Sequence, residues 1–192
     1  PHTPLQAPRR EIEKMLPFYN GKSPHAIASK RLEKQKLLGI VPPTAKLGMA
    51  GKFNPEGYGK ISAKRKDYIA ECMAAYAAQI AIMDRGIGRI LASLERHRLS
   101  DNTIVMFLSD NGATAEMPQN NKNKKTTLPT GPLGEVGCRD GYGPMWAAVS
   151  NTPYRQYKIE TFDGGLSAPF IIRYPSKIRP ESRYHSPFLL QD

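Results

Sequence analysis

The apolar positions of this chain follow two different periods, one helical and one strand-like, with aperiodic stretches between them. The longest regular element is predicted from about Ser62 to Arg98. There Ile69, Met73, Tyr76, Ile80, Met83, Ile87, Ile90, Leu91 and Leu94 recur at steps of three and four residues, the spacing of one helix face. Gly86 and Gly88 interrupt that helix. Each costs about 1 kcal/mol relative to Ala, so a close backbone approach to a neighbour, expected to be a sheet, is predicted there. Asp84, beside the apolar stripe, reads as a structural hydrogen-bonding residue. After Ser100-Asp101-Asn102 the period changes. Thr103 to Leu108 are six consecutive apolar or β-branched residues, the pattern of a central parallel strand covered on both faces. Helix, tight turn and strand make the αβ half of a parallel-sheet unit, so the predicted fold class is α/β.

Shorter elements surround this unit. Ser23-Pro24 starts a helix, with Ser as N-cap and Pro at the first helical position, running to about Leu38 and stopping at Gly39. Arg9 to Leu16 reads as a turn or two of helix closed by Pro17. The first eight residues, PHTPLQAP, are an extended Pro-rich lead, stiff enough to hold the His2 side chain in place; His2 is equally readable as a solvent-exposed residue. From Ala113 to Gln156 no period holds, and a structureless stretch of that length in a compact domain is usually functional or mobile. It contains the single tryptophan, Trp146. Phe162-Asp163-Gly164-Gly165 makes a tight turn, and Ala168-Pro-Phe-Ile-Ile-Arg-Tyr-Pro175 reads as a second buried strand between prolines. There is no internal repeat.

Composition narrows the function classes. With 192 residues, 40% of them hydrophobic, the chain is globular in composition, and no apolar run is long enough for a membrane span. The start, Pro1-His2, lacks an initiator Met and a signal-peptide layout, and is expected to be a cut or processed end. Lys and Arg total 28 against 17 acidic residues, a net charge of +11, which favours anionic partners. The clusters at Lys30-Arg31, Lys64-Arg65-Lys66 and 122–125 carry no interleaved aromatics, so they read as solvated surface and nucleic acid is not an expected partner. Cys72 and Cys138 show neither metal spacing nor a disulfide framework.

The candidate chemistry begins where the first strand ends, in Ser109-Asp110-Asn111-Gly112. Ligands of open α/β sheets sit beyond the carboxyl ends of strands. A carboxylate beside a carboxamide offers hard oxygen ligands suited to calcium or magnesium. Taken alone, the same residues are ordinary turn formers.

Five motifs in order extend the pattern: PHTPLQAP at 1–8, YAAQIAIMDRGIGRIL at 76–91, LSDNTIVMFLSDNGA at 99–113, GPMWAAVSNTPYRQYK at 143–158 and FDGGLSAPFIIRYP at 162–175. Together they resemble the sulfatase family of the alkaline-phosphatase superfamily, in its arylsulfatase type. The resemblance implies an alkaline-phosphatase-like sandwich with a largely parallel central sheet flanked by helices. Residues 1–192 would form the middle-to-late portion of one catalytic domain. It implies that Asp110 and Asn111 are two ligands of an active-site calcium (magnesium in some members), that His2 contacts the sulfate group and protonates the leaving oxygen, and that Lys158 binds the sulfate ester. The implied partner is an anionic sulfated small molecule or glycan.

The sequence also departs from the family. Sulfatases carry a formylglycine made from a Cys or Ser in a Cys-x-Pro/Ala-x-Arg context; Cys72 and Cys138 both lack that context. The paired aspartates that complete the metal site and the C-terminal subdomain are not matched either. The expected activity of the intact protein is therefore sulfuric ester hydrolysis on aryl or carbohydrate sulfates, with residues 1–192 alone inactive. The alternatives are a phosphate ester or phosphonate hydrolase of the same superfamily, or an inactive anion-binding module. By family analogy the compartment is periplasmic, secreted or lysosomal.

Overall fold

One long helix sets the frame. The structure, a computed structural model, describes residues 2–48, 55–116, 131–184 and 186. Helices α1 (Arg9–Met15), α2 (Pro24–Leu37), α3 (Pro55–Gly59) and α4 (Ala63–Arg96) precede strand β1 (Val105–Leu108), and α5 (Gly143–Ser150) and α6 (Asp163–Leu166) lie between it and strand β2 (Phe170–Arg173). The basic run at 122–125 lies outside the described residues.

The 34 residues of α4 extend about 51 Å at 1.5 Å per residue. Only its N-terminal half is buried, through Ile69, Ala70, Cys72, Met73, Ala74, Ala75 and Ala78. Beyond them the predicted stripe emerges into solvent, and Ile90 is 63% exposed. Among the described residues no sheet meets Gly86 or Gly88: a Cβ added at either would have no atom within 4 Å. Asp84 is exposed as well.

Other helices pack on the buried half. α1 lies against α4 with Ile12 fully buried. The carboxylate of Glu11, on the same helix, is buried. Lys14 Nζ and Arg85 Nη2 each lie 3.0 Å from it. The hydrogen bond from Lys14, then the charge of Arg85, hold its carboxyl below the usual range. α2 begins as its sequence indicates: Ser23 Oγ accepts from the Ala26 N–H at 3.1 Å. It ends before Gly39, whose φ of +63° is left-handed. α2 packs on α5, a helix absent from the periodicity because eight nearly all-apolar residues show no face. Pro144 at its first turn is the signal that marks it. Trp146 on α5 is buried in the core, its Nε1–H donating to the Ile69 carbonyl at 2.8 Å and its ring edge-on to Tyr19 at 5.5 Å. The loop predicted from Ala113 to Gln156 thus contains a structural anchor.

β1 and β2 pair antiparallel, Val105 opposite Arg173 and Leu108 opposite Phe170. This two-stranded sheet is the one found among the described residues, and the parallel neighbours expected for β1 are not among them. Nor is β1 buried on both faces. Met106 is 58% exposed and Ile171, on β2, 60%, because no further layer among the described residues covers the pair. No described helix is long and apolar enough to cross a membrane.

Candidate active site

The N-terminal lead is held at two points. The Leu5 N–H donates to Asp140 O at 3.0 Å, and Leu5 and Ala7 exchange backbone hydrogen bonds with Gly134 at 3.1 Å. The Leu5 side chain is fully buried, and Gln79 Nε2 donates to Pro4 O at 3.0 Å. Tyr68 Oη donates to the carboxylate of buried Asp140, so the loop that grips the lead is itself tied to α4. The result is an extended arm that presents His2. The Nδ1 of His2 lies 3.0 Å from the Thr3 carbonyl, which can only accept. Thr3 Oγ1 lies at the same 3.0 Å from Nδ1, so the ring is fastened on that side and Nε2 is turned toward Lys158.

Asp110 and Asn111 follow β1 after one residue, Ser109. The turn that carries them is closed by Ser109 Oγ donating to Asn111 O at 2.9 Å. The Asp110 side chain is exposed and Asn111 is half-buried. Just beyond, Gly112 donates its N–H to Gly165 O at 3.0 Å. A Cβ at Gly112 would stand 1.7 Å from Gly164 O. No side chain fits where these two backbones meet.

Lys158 comes from the far side of the same junction. Its N–H donates to Ala113 O at 3.0 Å. Gln156, two residues before it, and Ile159, next after it, have φ of +68° and +84°, left-handed values that cost a non-glycine residue about 1–3 kcal/mol. Ile159 is 86% exposed, so its side chain gains little from this conformation. The strained backbone turns Lys158 inward while Ile159 stays out. Between the two loops stands Asn151, at the end of α5. Its Oδ1 accepts from the Ala113 N–H at 3.0 Å, and its Nδ2 donates to Gln156 O at 3.0 Å and to Gly164 O at 2.7 Å.

These segments enclose a cleft of about 460 Å³ lined by His2, Asp110, Asn111 and Lys158 together with Tyr76, Thr114 and Tyr142. All four residues marked in the sequence thus share one cavity. Within it Lys158 Nζ and His2 Nε2, 156 residues apart in the chain, are 3.5 Å from each other. Tyr76 opens the motif at 76–91 without a role assigned to it, and Tyr142 lies outside the five motifs. Tyr76 belongs to the helical stripe and Tyr142 follows a glycine, so neither carries a chemical signature of its own. Their rings meet edge-on at 4.5 Å, and burial raises both phenol pKa values and keeps them neutral.

A larger cleft of about 580 Å³ lies elsewhere, lined by Arg9, Asp67, Tyr68 and Glu71 among others. Arg9 is ion-paired there with Glu71 and Glu13. In the smaller cleft a cationic amine faces an imidazole and a carboxylate with no ion pair among them.

For a divalent cation the donor set fits in kind: a carboxylate and a carboxamide are hard oxygen donors. In number it is partial, since calcium takes about six to eight oxygens. Among the described residues no group of three or more His, Cys, Asp or Glu is placed to hold a metal.

The family model for sulfatases matches residues 1–190. The chain is 32% identical over 188 residues to an uncharacterised sulfatase of Schizosaccharomyces pombe, covering 94% of this chain and 34% of that protein. It is 32% identical over 187 residues to an arylsulfatase of Klebsiella aerogenes, 93% of this chain and 39% of that one. An N-acetylgalactosamine-6-O-sulfatase of Bacteroides thetaiotaomicron is 30% identical over 108 residues, 53% of this chain and 16% of that one. The chain thus spans between a third and two fifths of the length of the first two relatives.

Proposed function

This chain belongs to the sulfatase family, whose fold is the α/β type of alkaline phosphatase, and we propose that the protein hydrolyses sulfate monoesters. In that reaction R–O–SO₃⁻ and water give R–OH and hydrogen sulfate: water oxygen joins sulfur, the ester S–O bond breaks, and the alkoxide or phenoxide takes a proton. The substrate class is an aryl or carbohydrate sulfate, a reading supported by the names of two relatives.

The observation that carries this reading is the convergence of His2 and Lys158 at 3.5 Å in the cleft that also contains Asp110 and Asn111. A sulfate group placed between these two nitrogens is within reach of both at once, which is the geometry that holds an anion. Lys158 binds a sulfate oxygen and offsets charge on it as the S–O bond stretches. His2, when doubly protonated, presents Nε2–H to the leaving oxygen as a general acid. Asp110 and Asn111 would contribute oxygens to a calcium or magnesium ion, which would supply Lewis-acid stabilisation of the sulfate charge. A formylglycine is the nucleophile-bearing residue of the reading; neither Cys72 nor Cys138 is its source.

β1 belongs, in this proposal, to a largely parallel sheet. Its apolar and exposed side chains support that reading, because parallel strands are covered on both faces. Protection of its amides from hydrogen exchange in the full-length protein is the check.

The site is tested in the full-length protein with Asp110→Ala. Calcium affinity by calorimetry and turnover of nitrophenyl sulfate should both fall, the latter by more than about tenfold if the ion contributes the several kcal/mol expected of a Lewis acid. Unchanged affinity and turnover would refute the assignment. Faster turnover of nitrophenyl phosphate than of nitrophenyl sulfate would transfer the chemistry to phosphate esters.

A further inference from the structure

We infer that Asn151 is a positioning residue, whose carboxamide sets the distance between the turn bearing Asp110 and Asn111 and the loop bearing Lys158. This rests on the reading of the cleft given above. A carboxamide has one acceptor oxygen and two donor hydrogens on its nitrogen. In Asn151 they are directed at the backbones of three separate segments: the Ala113 N–H, Gln156 O and Gly164 O, at 3.0, 3.0 and 2.7 Å. Ala113 lies two residues past Asn111, and Gln156 two residues before Lys158. The backbone bonds from Lys158 to Ala113 and from Gly112 to Gly165, each 3.0 Å, continue the junction, so Asn151 is the side chain at its centre.

The geometry is selective for asparagine. Aspartate keeps the oxygen that accepts from Ala113 but sets a second oxygen against two carbonyls. Alanine leaves one N–H and two carbonyls without their partner. Glutamine is longer by a methylene and displaces the segments it would join. In each case the loops separate or shift, and a misplacement on the order of 1 Å costs an active site about a hundredfold in rate.

Three variants of the full-length protein are compared: Asn151→Ala, the near-isosteric Asn151→Asp, and Trp146→Phe. The last loses a buried hydrogen bond in the core and does not line the cleft. Both Asn151 variants should lose about tenfold to a hundredfold in kcat/KM for nitrophenyl sulfate. They should bind calcium more weakly by calorimetry, and exchange backbone amides faster in 109–116 and 156–165 than the Trp146 variant does. If Asn151→Ala folds poorly, Asn151→Asp carries the comparison. Asn151 variants that match Trp146→Phe in calcium affinity, kinetic constants and exchange of those peptides would overturn the inference, leaving Asn151 a stabilising residue only. Asp110→Ala, run alongside, separates the two readings. If it weakens calcium binding while the Asn151 variants do not, this inference alone falls; if neither does, the reading of the cleft falls with it.

Discussion

Replacing Gly112 with alanine tests the junction behind the cleft in the most direct way. The new methyl carbon would stand 1.7 Å from Gly164 O, so that carbonyl has to retreat by about 1.6 Å to reach an ordinary C···O separation of about 3.3 Å. Overpacking of this kind costs about 1–3 kcal/mol. The retreat also breaks the hydrogen bond from Gly112 N–H to Gly165 O and strains the one from Asn151 Nδ2 to Gly164 O, each contributing about 1 kcal/mol. The expected loss is therefore about 3–5 kcal/mol. With a urea slope of about 2 kcal/mol/M, the unfolding midpoint should fall by about 2 M. Gly86→Ala is the matched control. The same methyl meets nothing within 4 Å there, and removing a glycine from the interior of α4 should raise stability by about 1 kcal/mol. A midpoint for Gly112→Ala within about 0.3 M of the unchanged protein would refute the close approach of the two loops.

Burial pushes the Cys72 thiol up to about 12, against about 8.5 in an unfolded chain. The neutral thiol is thus favoured by folding; its contribution is complete below the unfolded value and is lost as pH rises toward about 12. Urea midpoints should fall as pH is raised above about 8.5, and the fall should be smaller in Cys72→Ala. At neutral pH, Cys72 should react with thiol reagents only after denaturant is added. Trp146→Phe removes the donor to the Ile69 carbonyl and leaves a buried acceptor unsatisfied, so it should cost about 1–3 kcal/mol in the same urea assay. Residues 1–192 expressed alone should show no turnover of nitrophenyl sulfate, since neither cysteine has the formylglycine context and the cleft offers two metal donors; measurable hydrolysis would overturn the division of labour proposed here.

What the amino-acid order determines by itself is whatever depends on neighbours within a turn or two. The extent of α4, the Ser23 cap and Gly39 stop of α2, and the abrupt end of β1 at Asp110-Asn111 are of this kind, because period, capping chemistry and backbone preference act over a few residues. The sulfatase motifs are local strings as well, and they marked four residues that prove to line one cleft. Tertiary structure decided the rest. Which half of the α4 stripe is buried depends on where α1 and α5 lie. Trp146 became a core anchor rather than a loop residue because Ile69 O and the Tyr19 ring stand beside it. The β1–β2 pair is antiparallel through a choice of partner that strand composition leaves open. His2 meets Lys158 across 156 residues because backbone hydrogen bonds from remote segments hold each arm. No local preference records such pairings, and the need for glycine at position 112 exists only once Gly164 arrives beside it.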